Sequence, residues 1–500
     1  MCIGDNASCL WKTVADPKAE LFDIVIVGAG GSGLAAAVAA ADAGASVILL
    51  EKCSTIGGTT ALSVGSISAA GTRLQKSMGI TDDVASFRAD MEGFWGELAP
   101  RAFKPLQDLL ASEAATTVDW LEELGVIFAG PFPEPPHRVN RMHNAIPNSR
   151  AYLDVLLSAA RRRSVEVRTD CRITDLVCDV AGRVQGVSCG RGSTLVRFNA
   201  RQGVVLACGD FSGSQELKKR YLTEPQQRAI PVRPDSTGDG HMMAEQIGAG
   251  FRNMDVAFAP QLRFPSAAHS SWVDRLPKHR IVNRICAVFL RYAPSVIVRR
   301  LAKSVLLSHM SPSEKLFREG ALLVDREGRR IETAKPAASL AMAPGATGYI
   351  VLREAVAKRF AGPPLFISTA PGIAYACYED YRIGRPDITH LAPDVQRLAA
   401  ALTLPVDVLR DTLSGLGNGP LVAFGPVMAA ITIVEGGLAV DEQFCVLRPD
   451  GTVIEGLFAV GGTGQGGTLL KGHGLHLAWA FTSGRLAGTA VALGEGHQHD

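Results

Sequence analysis

The stretch Phe22-Asp-Ile-Val-Ile-Val-Gly28-Ala-Gly30-Gly-Ser32-Gly33 decides the fold, and it runs on through Ala35–Ala41 to Val47-Ile-Leu-Leu-Glu51-Lys52. An apolar run, a Gly-x-Gly-x-x-Gly turn, small residues with helical character, a second apolar run and an acid follow one another. That order predicts strand, turn, helix and strand, the unit that holds a dinucleotide. Gly28 permits the tight turn, Gly30 lets backbone approach a pyrophosphate, and Gly33 lets the helix close on the sheet. The pyrophosphate then meets the positive end of the helix. Glu51 lies about 20 residues past the glycines, where an acid reaches a ribose hydroxyl.

Five hundred residues exceed what a single core organises and predict two domains. Residues are 47% hydrophobic and 20% charged, and a net charge of +2 argues against a nucleic-acid partner. Ten cysteines are scattered without a Cys-x-x-Cys pair. They suggest neither a metal site nor a disulfide framework, and point to reduced thiols in a cytoplasmic protein. No apolar leader and no run of about 18 apolar residues is seen, so no spanning helix is expected.

Downstream, Asp82 and Asp83 predict a helix cap, and Val118–Gly125 has helical spacing closed by a glycine. Pro131-Phe-Pro-Glu-Pro-Pro136 reads as a loop. Gln202–Leu206 reads as a buried strand entering the turn Ala207-Cys208-Gly209, and Thr237-Gly-Asp239-Gly opens a helix. From about 255 to 430 prolines and bulky apolar residues replace the glycine-rich texture, which returns at Gly456–Gly488. The expected organisation is a nucleotide-binding domain from 15–256 and 433–500, with a second domain, 257–432, inserted.

These segments, with Gly57-Gly58-Thr59-Thr60 and Gly320–Arg330, resemble in order and extent the FAD-dependent family of soluble fumarate reductases, succinate dehydrogenase flavoproteins and 3-ketosteroid dehydrogenases. The resemblance implies an α/β fold: a Rossmann-like FAD-binding domain of the glutathione-reductase type carrying an inserted α+β capping domain. It implies FAD as cofactor, held by Gly28, Gly30, Ser32, Gly33, Glu51, Lys52, Gly57 to Thr60, Ile173, Ala207, Cys208, Gly209, Asp239, Gly461, Gly462, Gly474 and Leu477. In it, the Gly57–Thr60 loop lies along the pyrophosphate and flavin, and Gly474 leads a helix whose N-terminus faces the flavin. Covalently flavinylated relatives carry a histidine in the Thr59–Ser66 loop; none is present here, so FAD is expected to be noncovalent.

The chain departs from the family at several positions. Gly462 stands where an acid or amide usually holds the ribityl chain. Ala338, Thr432 and Ala259-Pro260-Gln261 replace an arginine, a histidine and a His-Pro-Thr that clamp and protonate a dicarboxylate. A small diacid needs charged donors at both ends. Lys471 takes the place of a substrate-binding arginine, and Leu470 replaces the tyrosine of the ketosteroid-type motif.

Removing hydrogen across a C–C bond needs a hydride acceptor and a group that takes a proton beside a carbonyl. The candidates are Lys471 as electrophilic donor, His473 as base or donor, and Tyr349 as a capping-domain tyrosine. Glu435 is a weaker base candidate, and Tyr375, Tyr378 and Tyr381 read as partly solvent-facing. The reaction favoured from these residues is desaturation of a cyclic or steroid-like ketone, a small lipophilic carbonyl substrate, with an unidentified electron acceptor. Reduction of an unsaturated carboxylic acid, and flavin binding without turnover, remain open. Residues 275–313 carry eight cations and no acid before Glu314, interleaved with apolar runs, and read as a peripheral membrane contact or a lid.

Overall fold

In the computed structural model, the described residues are 19–494, apart from 192–193, 266–284, 287–288, 290–306, 308–310 and 371–373. The basic stretch 275–313 therefore falls almost entirely outside the described residues.

The opening unit folds as its pattern requires. Strand β1 (Glu20–Val27) leads through the glycine turn into helix α1 (Gly31–Asp42), and strand β2 (Val47–Leu50) returns parallel to β1 with Val25 beside Ile48. Ala and Gly dominate α1, so its neighbours approach closely. The long helix Leu475–Leu493 packs along it, with Gly484 over the Ser32 carbonyl and Gly488 over that of Ala36.

Strand Thr194–Leu206 pairs in parallel with the other edge of β1, and Val453–Ala459, from the far end of the chain, pairs in parallel with it in turn. This eight-stranded sheet thus runs Cys445–Leu447, Val453–Ala459, Thr194–Leu206, β1, β2, Glu166–Arg168, with Ile173–Cys178 and Val184–Arg191 folded onto it. Both ends of the sequence build one α/β layer, the Rossmann-like arrangement expected.

A second, seven-stranded sheet centres on Leu421–Ile431, flanked by Thr347–Arg353, Leu322–Asp325 and Arg330–Ile331, with Gln261–Arg263 and Thr389–Ala392 also pairing onto the long strand. It also recruits Ile230–Pro231, from within the stretch the sequence assigns to the nucleotide-binding part. Two antiparallel segments connect the sheets. Phe258 N donates to the Ile433 carbonyl, and Glu435 N to that of Val256.

A third small sheet corrects the reading of Pro131–Pro136 as loop throughout. Phe128–Phe132 is an edge strand against Met142–Ala145, and the register shifts between Ala129 and Phe132. An edge and a bulge are where a sheet tolerates a residue without an N–H. Behind this sheet, buried Arg141 pairs with Asp82 and Asp90, and Asp83 caps the helix Val84–Glu92. Among the described residues, no helix is long and apolar enough to cross a membrane.

Candidate active site

One elongated cavity of about 1240 Å³ runs from the glycine turn to the inner face of the second sheet. Ligand pockets commonly hold about 300–1,000 Å³, so a cavity of this size has room for a dinucleotide and a small substrate.

At one end lie Gly28, Gly30, Ser32, Glu51, Lys52, Ile173, Ala207, Cys208, Gly209 and Asp239. Gly28 has φ +105°, and a Cβ on it would fall 2.4 Å from the Ala207 carbonyl oxygen. By contrast, a Cβ on Gly30 would meet nothing within 4 Å, so this turn presents bare backbone to open space. Glu51, buried, accepts the backbone N–H groups of Ala29 at 2.8 Å and Cys53 at 2.9 Å. Its carboxylate is thereby fixed at the end of β2. Lys52 Nζ donates to Thr237 Oγ1 at 2.6 Å and to Asp239 Oδ2 at 2.9 Å, so two residues named from separate motifs form one ion pair. Burial pushes the Asp239 carboxyl up, but the Lys52, Thr237 and Arg172 contacts outweigh it and hold the group below its usual range.

Cys208 lines the same end, with Sγ 3.4 Å from the Val27 carbonyl oxygen, and burial pushes its thiol up to about 12. The thiolate is the reactive form. Cys208 is expected to stay unmodified when native protein meets iodoacetamide at a pH of about 8, where little thiolate forms. Peptide mapping that finds it labelled as fast as a free thiol contradicts this environment.

Gly58, Thr59 and Thr60 line the middle of the cavity, and Thr60 Oγ1 accepts the N–H of Gly31, tying this loop to the helix start. Gly462, Gly474 and Leu477 line it further along. Gly33, Gly57 and Gly461 do not line the cavity and act on the turns behind it. Gln465 also faces the cavity, and its side-chain Oε1 is buried without a hydrogen-bond partner. An acceptor waiting for a hydroxyl suits a ribityl chain at the place where Gly462 supplies none. Bare glycine backbone, a fixed acid and this orphaned acceptor together fit FAD.

Toward the second sheet the cavity is walled by Pro260, Gln261, Arg263, Pro336, Ala337, Ala338, Thr432, Lys471, His473 and His476. The three sites of departure from the dicarboxylate clamp thus do face the cavity, as small or uncharged groups. Arg263 comes from strand Gln261–Arg263, two residues beyond Gln261 on the same face, and burial holds its guanidinium below the ordinary arginine value. Lys471 is exposed along the cavity wall.

His473 Nδ1 lies 2.7 Å from Glu134 Oε1, which also accepts the His473 backbone N–H. Glu134 is 3% exposed, whereas the His473 side chain is 54% exposed. The hydrogen bond to Glu134 raises the imidazole pKa, burial lowers it, the Glu134 charge raises it and Arg263 lowers it, with a net rise. Glu435 is a buried carboxylate that accepts His476 Nε2 at 2.9 Å, the Leu470 N–H at 3.0 Å and the Gln465 amide. It ties the loop carrying Lys471 to the connection between the sheets, and its three donors leave it poorly placed as a base.

Tyr349 is not brought to this cavity. It sits in Thr347–Arg353 against the outer apolar cluster, near the His390 ring. The expectation that Tyr378 and Tyr381 face solvent is corrected: both are buried, and Tyr381 Oη bonds Ser368 Oγ at 2.7 Å. Sequence reasoning misses Arg263, Glu134 and His476. The signal for His476 is its place just beyond His473, in the first turn of the helix Leu475–Leu493.

Residues 23–284 and 289–470 match the family of FAD binding domains, and the chain belongs to it. It is an FAD-dependent oxidoreductase, and its relatives include enzymes of the class acting on CH–CH bonds. Among its relatives is the fumarate reductase (cytochrome) of Shewanella frigidimarina, 25% identical across 96% of this chain and 78% of the relative. Another is 4-oxocyclohexanecarboxylate 2-dehydrogenase of Sinomonas cyclohexanicum, 26% identical across 96% and 94%. The open conformation of a flavocytochrome c3 fumarate reductase shares the fold, with a TM-score of 0.71 and 23% identity across 96% of this chain and 79% of that one.

Proposed function

We propose that this enzyme reduces the C=C bond of an α,β-unsaturated monocarboxylic acid with a compact apolar body. The observation that carries the reading is that Arg263 and Lys471 share one cavity whose other residues include Ala337, Ala338, Pro336 and Phe258. Two cations hold one carboxylate, and the clamp positions Ala338, Thr432 and Pro260 carry no charge for a second, although Lys335 also lines the cavity beside Pro336. FAD, held noncovalently by the glycine turn Gly28–Gly30, Glu51 and Gln465, would when reduced supply the hydride for one alkene carbon. The chain's part is to polarise the carboxyl group and to deliver a proton to the other carbon. His473 is suited to the proton delivery, because Nδ1–H is donated to Glu134 and Nε2 is left to exchange the proton.

The second reading, desaturation of a cyclic ketone, is favoured by the relative from Sinomonas cyclohexanicum, whose whole length the match nearly spans. It uses the same groups in reverse, with Lys471 on the carbonyl oxygen and His473 taking the proton. Anaerobic mixing separates the two. Reoxidation of dithionite-reduced enzyme by an enoic monocarboxylate, faster than by fumarate, is the expected result. Bleaching of oxidised enzyme by a cyclic ketone supports the second reading instead. Neither response in FAD-loaded protein overturns both and leaves flavin binding without turnover.

A further inference from the structure

The small sheet that holds Phe128–Phe132 reaches the reaction cavity: Ser66, on another of its strands, lines it, as do Glu134 and Pro135 just beyond Phe132. Glu134 follows the edge strand between Pro133 and Pro135. Prolines on both sides fix φ at their positions, so little backbone freedom remains to move the carboxylate. The loop also rests on a firm base. His137 N donates to the Glu134 carbonyl, the His137 ring packs edge-on against Phe94, and Arg141 with Asp82 and Asp90 lies buried behind it. One oxygen of Glu134 accepts both the backbone N–H and Nδ1 of His473, 339 residues away in sequence.

We propose that Glu134 is a positioning residue for His473: it fixes the imidazole in the tautomer whose Nε2 faces the reactants, and anchors the loop that carries Lys471. This rests on the reading of His473 as the proton-exchanging group. A carboxylate at Nδ1 sets which nitrogen keeps its proton and stabilises the imidazolium formed in turnover. The charged groups acting on His473 are Glu134 from this loop and Arg263 from the second sheet, and Lys471 on its own loop lines the same cavity. Arg263 opposes the cation, so Glu134 is the group that sustains it.

The test is Glu134→Gln in FAD-loaded enzyme, which keeps the shape and removes the charge. Imidazole titration followed by NMR is expected to show the His473 midpoint falling to lower pH, while His476 is unmoved. The pH limb of kcat assigned to the proton donor should move the same way, with kcat reduced roughly 10–100-fold and KM changed less than about twofold. In a His473→Gln background, Glu134→Gln should cost no further activity. An unshifted His473 titration in a folded Glu134→Gln protein overturns the proposal, as does a full additional loss in the double variant. The NMR readout needs no substrate, so it stands even where the enoic-acid reading fails.

Discussion

Gly33→Ala is expected to purify without flavin colour and to melt well below the parent. Alanine ordinarily favours a helix over glycine by about 1 kcal/mol, and Gly33 lies in the first turn of α1. Here the added Cβ would fall 1.9 Å from the Gly28 carbonyl oxygen and 3.2 Å from Ala207 Cβ. The obstacle is backbone of the turn itself, not the flexible tip of a side chain. Relief therefore requires α1 to move away from the end of β1, opening the turn that cradles the pyrophosphate. Overpacking that side chains can absorb costs about 1–3 kcal/mol, and a backbone collision belongs at or beyond the top of that range. The checks are the flavin absorbance per protein and the melting temperature on adding FAD. Gly415→Ala, where a Cβ meets nothing within 4 Å, is the control. Stoichiometric yellow Gly33→Ala protein with parental stability would show that this turn does not hold the cofactor as argued.

That collision also explains why the nucleotide end is legible in the sequence. Gly33 is constrained by Gly28, five residues away, so the spacing of the turn leaves a local pattern, even though Gly28 itself is pressed against Ala207 of a distant segment. The Lys471–Gly474 turn is legible as a glycine pattern too, although a Cβ on Gly474 would meet the distant Ser68 backbone, and the altered clamp positions Ala338, Thr432 and Pro260 all line the cavity. What stays hidden is convergence between distant segments. Nothing near Glu134 announces His473, and Glu435 becomes a buried anchor only because His476, Gln465 and Leu470 fold over it. Tyr349 misleads because its strand never reaches the cavity: neighbouring side chains of Thr347–Arg353 point to opposite faces, and both faces pack into apolar clusters. The proline run reads as loop because composition does not reveal which strand lies at an edge.

Arg263 offers the sharpest division between an acid and a ketone as substrate. Its guanidinium lines the cavity from Gln261–Arg263, a strand that also pairs with Leu421–Ile431, so its place is set by the second sheet. Burial already works against its charge. A carboxylate entering beside it offsets that penalty, and charge-assisted hydrogen bonds are roughly twice as strong as neutral ones. For an enoic monocarboxylate, Arg263→Leu is expected to lower kcat/KM by about 10²–10³, roughly 3–4 kcal/mol of transition-state stabilisation. Arg263→Lys should recover only part of this, because an ammonium cannot make the two-pronged contact of a guanidinium. A neutral cyclic ketone has only a carbonyl dipole to offer, and the same substitution should cost its turnover less than about tenfold. The comparison requires FAD content to be equal in all variants, since Arg263 lies at the far end of the cavity from Glu51 and Lys52. Equal losses for acid and ketone would mean that Arg263 shapes the chamber without reading charge, and the monocarboxylate assignment would go with it.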